Sequence, residues 1–201
     1  MVSSDVLIPG APDSALAKAA TELVMSCSPR TLANHVLRTY QFGMALAEHD
    51  RLNPDRELAY LGAVLHDLGY TERFAGPRSF EVEGADAAAT FLRERGASEE
   101  DVALVRDIIL LHLIPEAVND PRPEVVLVKI GVSADNFGRR LDDIDSKLVA
   151  AILAGAPRLG FKDFIVRAHN EEVRRKPDGT AAMLSRQYDI TKRFATAPFD
   201  S

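Results

Sequence analysis

The chain has 201 residues, 46% hydrophobic and 27% charged, with 6% aromatics, no Trp and a net charge of -6. That length supports one domain with a core of its own, and the balance excludes wholesale disorder. An acidic surface repels phosphate backbones, so no nucleic-acid partner is expected.

In chain order, residues 1–12 read as a loose lead-in with no secretory leader. Asp13 is placed to cap a first helix to about Cys27. Ser28 followed by Pro29 is a start signal for a second helix, reaching about His49. Asn53 and Pro54 repeat that signal for a third, which Gly69 ends beside His66-Asp67-Leu68-Gly69. Residues 71–79 form a connection. A fourth helix covers about Phe80 to Arg95 and closes at Gly96. Ser98 with Asp101 resembles a capping box for a fifth, which stops near Leu113 before Pro115.

The run from Glu124 to Val132 suits a buried strand or a buried helix. No second convincing strand exists to pair with it, so a helix is expected. Helices also fit 145–154, 161–176 and 180–194. The expectation is an all-α, single-domain bundle over 13–201, with a core at about 28–138 followed by C-terminal helices at 145–194. Arg174, Arg175 and Lys176 read as a solvated helix end. Cys27 is the single cysteine, which suits a reducing compartment. No run of about 18 apolar residues predicts a membrane span, so a cytoplasmic protein is expected. The apolar C-terminal helices leave room for a homodimer.

Chemistry-bearing residues stand at interior-looking positions. His35 shares an amphipathic face with Leu32, Thr39 and Phe42. His66-Asp67 ends the apolar helix Leu58–Leu65, where a buried carboxylate needs a partner such as a cation. His112 ends Ile108–Leu111, and Asp135 follows another apolar run. Each has a bland alternative as a core histidine or a helix-end acid. Together they point to one site. His49 and His169 read as surface residues.

The order His35, His66-Asp67, His112, Asp135 resembles the HD-domain metal-dependent hydrolase superfamily, over about His35 to Gly138. The stretches Asn34–Gly43, Phe80–Asp86 and Ile108–His112 resemble its cyanamide-hydratase-like branch. The resemblance implies one divalent metal held by His35, His66, Asp67 and Asp135. Zn²⁺ is favoured, with Mn²⁺, Fe²⁺ or Ni²⁺ also compatible with mixed N/O ligands. Asp67 also touches the chemistry. Glu81 is implied at the pocket as a general base, or else as an acid favoured by the helix N-terminus. His112 is a candidate proton shuttle or a buried structural histidine. Arg38 is a candidate for an anionic oxygen or for an ion pair.

The function implied is a hydrolase or hydratase attacking a small nitrile, amide or cyanamide-like molecule. The alternative is a phosphohydrolase of nucleotides or other small phosphate esters. Arg38, Arg73, Arg78 and Lys129 are available cations for it, though no clustered clamp is visible. A non-enzymatic sensor is a third possibility that the complete ligand set disfavours.

Overall fold

The computed structural model describes residues 8–199, and the expectations for Met1–Leu7 lie outside them. Ten α-helices and no strand occur among the described residues: α1 (Ala15–Cys27), α2 (Arg30–His49), α3 (Arg56–Leu65), α4 (Phe80–Arg93), α5 (Glu99–Leu111), α6 (Pro123–Phe137), α7 (Ser146–Gly155), α8 (Phe161–Arg175), α9 (Thr180–Tyr188) and α10 (Ile190–Ala195). The chain is therefore all-helical, and the apolar run in question lies within α6. Among the described residues, no helix is long and apolar enough to cross a membrane.

The helix starts differ from expectation by one or two residues. The side chain of Ser14, not Asp13, accepts from the Ala17 amide. Asp55, not Asn53, accepts from the Glu57 and Leu58 amides. Pro29 is itself extended, with ψ 148°, so Ser28 stands one residue too far back to cap α2. Ser98 does accept from the Asp101 amide. The stretch at 180–194 is two helices, because Asp189 takes a left-handed conformation, φ 51°. Asp tolerates that region better than most residues.

The core is a continuous packing of α1–α6, with Leu32, Tyr40, Leu61, Leu65, Ile108 and Leu127 all almost fully buried. Two glycines set its tightest crossing, between α2 and α6. A Cβ on Gly131 would fall 2.1 Å from the Thr39 carbonyl oxygen, and one on Gly43 would fall 2.7 Å from that of Leu127. Backbone contact this close brings His35 on α2 within reach of Asp135 on α6.

A second close approach seats the His66-Asp67 turn. α3 stops at Leu65, and a 3-10 turn, Leu68–Tyr70, follows. Gly69 is not the left-handed helix cap that was expected. A Cβ there would fall 1.9 Å from the Phe80 carbonyl oxygen, and one on Gly84 would fall 3.0 Å from the Gly69 amide nitrogen. The start of α4 thus lies against the turn that carries the acid.

Candidate metal centre and chamber

His66 and His112 occupy matching places, each just past the end of an apolar helix. Their Nδ1–H groups donate back to the carbonyls of Ala63 and Ile109, at 2.7 and 2.6 Å. The last carbonyls of a helix lack intrahelical partners, so each imidazole satisfies one of them. The same bond fixes the tautomer and leaves Nε2 with a lone pair. His35 repeats this arrangement with a different acceptor. Its Nδ1 lies 2.6 Å from Asp135 Oδ2, and its ring stacks on Phe161, centroids 4.4 Å apart.

The three free Nε2 atoms face Asp67. Its Oδ2 is 3.5 Å from His35 Nε2 and 3.3 Å from His66 Nε2, and its Oδ1 is 3.9 Å from His112 Nε2. His35, His66 and Asp67 each offer one ligand atom within 4.8 Å of the others, a group that could hold a metal ion. All are buried. Burial alone would raise the Asp67 carboxyl, but His66, His35 and His112 together hold it well below the ordinary carboxylate range. Burial opposes charge on His66, yet the adjacent Asp67 raises it above its ordinary value. Burial and the neighbouring His66 push His112 down to about 3. A histidine held there stays neutral and offers a lone pair, and its burial and backbone bond match the second of its two readings, a buried structural histidine.

Two expected site residues lie off this cluster. Asp135, expected as a fourth direct ligand, is outside the three-residue group. Its Oδ1 accepts from Arg38 Nε at 2.7 Å and from Arg158 at 2.8 Å. Its Oδ2 accepts from the second Arg38 nitrogen at 2.8 Å and faces His35 Nδ1. Both oxygens are committed, so Asp135 orients His35 from behind. Arg38, read as meeting an anionic oxygen or as making an ion pair, is fully buried and pairs with Asp135, also donating to the Ala156 carbonyl. Arg158, which no sequence motif marks, completes this network from beyond α7.

Glu81 matches the second of its two readings, an acid in the first turn of α4. It is buried at 3% exposure, and its Oε2 has no hydrogen-bond partner. It is not among the side chains that line the chamber.

His66, Asp67 and His112 form the floor of a cavity of about 310 Å³. Tyr70, Phe80, Phe137, Tyr188 and Phe194 line its sides, and α8–α10 supply its outer wall. Of the four cations considered for phosphate, only Lys129 lines it. Arg78 pairs with Glu83 and Asp86 at the surface, and Arg73 lies over Phe74. Arg139 and Arg193 join Lys129 from positions not foreseen. Lys129 is pulled down to about 8 by burial against the opposing field of Glu116.

His169, expected at the surface, is buried in the chamber wall, with Nε2 2.6 Å from Ser185 Oγ. Its neighbours Ile165 and Phe161 stand one and two turns before it on the same face of α8. Burial lowers its pKa from 6.5 to about 4. Between those values the unfolded chain binds the proton and the fold does not, so stability rises with pH across that window. The whole effect is on the order of 3 kcal/mol. Urea unfolding at pH 4.5 and 7 is expected to show a smaller difference in His169→Gln than in the parent. An equal difference removes His169 as the cause.

Comparison with known proteins agrees with the main features. The HD domain profile matches residues 32–154. The 3'-5' exoribonuclease YhaM of Bacillus subtilis (strain 168) is 29% identical over 131 residues, 58% of this chain and 41% of that protein. Its namesake from Bacillus velezensis is 28% identical over 131 residues, 59% of this chain and 39% of that protein. The chain thus spans about two-fifths of the length of these curated relatives. The expectation of no nucleic-acid partner is overturned by these relatives, which are named as ribonucleases. It had rested on net charge alone, which says nothing about the charge inside a cavity. The relatives also lend no support to the cyanamide-hydratase-like branch.

Proposed function

The chain belongs to the HD domain family, and from that premise we propose that it is a metal-dependent phosphohydrolase. The carrying observation is the make-up of one cavity. Its floor holds converging nitrogen lone pairs and an ionised Asp67, and its other charged side chains, Lys129, Arg139 and Arg193, are cations.

The donor set fits a divalent ion. His35 and His66 would supply Nε2 and Asp67 a carboxylate oxygen, with His112 Nε2 beside it. The tied Nδ1–H groups mean that no imidazole has to reorient to present its lone pair. Zn²⁺ suits such N/O ligands, as do Mn²⁺, Fe²⁺ and Ni²⁺. When bound, the ion supplies a Lewis acid for a phosphoryl oxygen and lowers the pKa of a coordinated water.

The chain's own groups do the rest. Asp67 Oδ1, on the His112 side, accepts a hydrogen bond from the attacking water and orients it. Asp135 keeps His35 facing inward. Lys129, Arg139 and Arg193 offset negative charge on the phosphoryl oxygens. One carboxylate beside three imidazoles leaves the metal site net positive, where the expected two carboxylates would have left it neutral. A positive site favours ionised water and an anionic substrate. A neutral nitrile or amide has no use for three surrounding cations, which makes the hydratase reading the weaker one.

The test is a substrate panel with Zn²⁺, Mn²⁺, Fe²⁺ and Ni²⁺ in turn. It comprises nucleoside monophosphates, p-nitrophenyl phosphate, a short oligoribonucleotide and cyanamide. Metal-dependent cleavage of a phosphate ester is expected. Turnover of cyanamide with none of any phosphate ester would replace the proposal with the hydratase reading.

A further inference from the structure

Helix α6 carries two polar faces within an apolar helix. One is Asp135, turned to α2 and its two arginines. The other is the row Lys129, Ser133 and Asn136, at spacings of four and three, which faces the chamber. Residues so spaced share one side of a helix. This row is unusual in what it leaves unmatched.

Lys129 is 9% exposed. It donates to the carbonyls of His112 and Leu113, both at 3.1 Å, and among the described residues no carboxylate lies within ion-pairing distance of it. Burying a charge without a counter-charge is costly, and an ordinary structural lysine avoids it. Two carbonyls use two of its three N–H donors, which leaves one. About two turns further along α6, Asn136 is 6% exposed, and its side-chain oxygen has no partner. Both groups line the same cavity. They leave a cation and an acceptor waiting for an anion and a donor.

The outer wall has a different character. Phe137 and Phe194 stack at 5.1 Å between centroids, and Arg193 sits over the Tyr188 ring. Arg139 and Arg193 are exposed at the mouth. A volume of about 310 Å³ is at the small end for ligand sites, which run from roughly 300 to 1,000 Å³. Flat apolar walls take an aromatic ring, and the cations take a phosphate. Most of that outer wall comes from α8–α10, beyond residue 154, where the family match ends.

We infer that Lys129 is the phosphate anchor of this chamber, and that the chamber holds one nucleoside monophosphate, with Asn136 meeting a ligand hydroxyl or amino group. This rests on the phosphohydrolase reading for its catalytic meaning, but the binding can be read without catalysis. Lys129 binds the substrate rather than setting the geometry of the metal ligands.

The experiment uses the full chain with metal removed by a chelator, so that any phosphate binding is not through an ion. Adenosine 5'-monophosphate, inorganic phosphate and adenosine are titrated while thermal unfolding is followed. The nucleotide is expected to bind at least tenfold more tightly than adenosine. Lys129→Met is expected to lose at least tenfold in affinity for the nucleotide and for phosphate, with adenosine affinity unchanged. Its melting temperature without ligand should be equal to or above the parent's, because an unpaired buried charge has gone. Lys129→Arg should recover part of the binding. Unchanged nucleotide affinity in Lys129→Met overturns the inference. So does a parent protein that binds adenosine as tightly as the nucleotide, which decides the matter even if the variant fails to fold.

The two proposals can fail separately. Lys129-dependent nucleotide binding without metal-dependent phosphate release removes the phosphohydrolase and leaves the anion site. Phosphate release that is indifferent to Lys129, in both KM and kcat, does the reverse.

Discussion

Asp67→Ala is expected to lose metal and turnover together, with metal affinity falling more than roughly 10²-fold. The reason is position. Among the described residues, Asp67 is the only carboxylate facing the three free Nε2 atoms, with its Oδ2 3.3 and 3.5 Å from two of them. Loss of an outer partner of a metal ligand costs about 10–100-fold in affinity, and loss of a ligand itself should exceed that. His66→Ala is expected to behave alike, because its ring is held by a single bond to the Ala63 carbonyl for one evident purpose. Metal content after dialysis, measured by mass spectrometry beside the rate, checks both. Full metal occupancy with full turnover in either variant contradicts the assignment.

Asp135→Ala is expected to act first on stability. Its carboxylate is fully buried and takes hydrogen bonds from Arg38 and Arg158. Arg38, joined by His35, holds Asp135 far below the usual carboxylate range against the cost of burial. Removing the acid leaves two guanidinium groups facing each other without a counter-charge. Breaking a buried ion pair from one side costs about 3–5 kcal/mol. For a chain of this size, that lowers the melting temperature by roughly 10 °C or more. His35 also loses the acceptor that fixes its ring, so metal affinity should fall by about 10–100-fold. Thermal unfolding of the metal-free variant separates this account from direct ligation. A metal-free melting temperature equal to the parent's contradicts a network held by Asp135.

These two variants also show where the sequence was informative. The helix order, and the interior placing of His35, His66, Asp67 and His112, could be read because each residue sits in or ends a strongly apolar helix. Periodicity says which face a residue occupies. It does not say which of several neighbours on that face it will meet. Asp135 was therefore placed with the right histidine, as a fellow metal ligand, whereas the structure sets it against His35 Nδ1. Arg38 shares a face with His35, and sequence spacing could not reveal that Asp135 would claim it. Arg158 comes from 23 residues beyond Asp135 in a loop, and nothing local marks it.

Other misreadings had a visible signal that was outweighed. The charged neighbours of His169 suggested a surface site, yet Phe161, Ile165 and His169 recur at helical spacing on the buried side of α8. Lys129 reads as an available cation, but Asn136, past the end of the hydrophobic run, is not singled out. Glu81 was assigned by family resemblance, and its burial away from the chamber depends on how α4 docks against the Gly69 turn. The break at Asp189 has neither Gly nor Pro to announce it.

The most direct measurement is a crystal structure of the chain soaked with Zn²⁺ or Mn²⁺, with the ion located by anomalous scattering. The account predicts one ion bound by His35 Nε2, His66 Nε2 and an Asp67 carboxylate oxygen, at distances of about 2.0–2.2 Å. An ion bound elsewhere, or a site that lacks any of these three ligands, contradicts it.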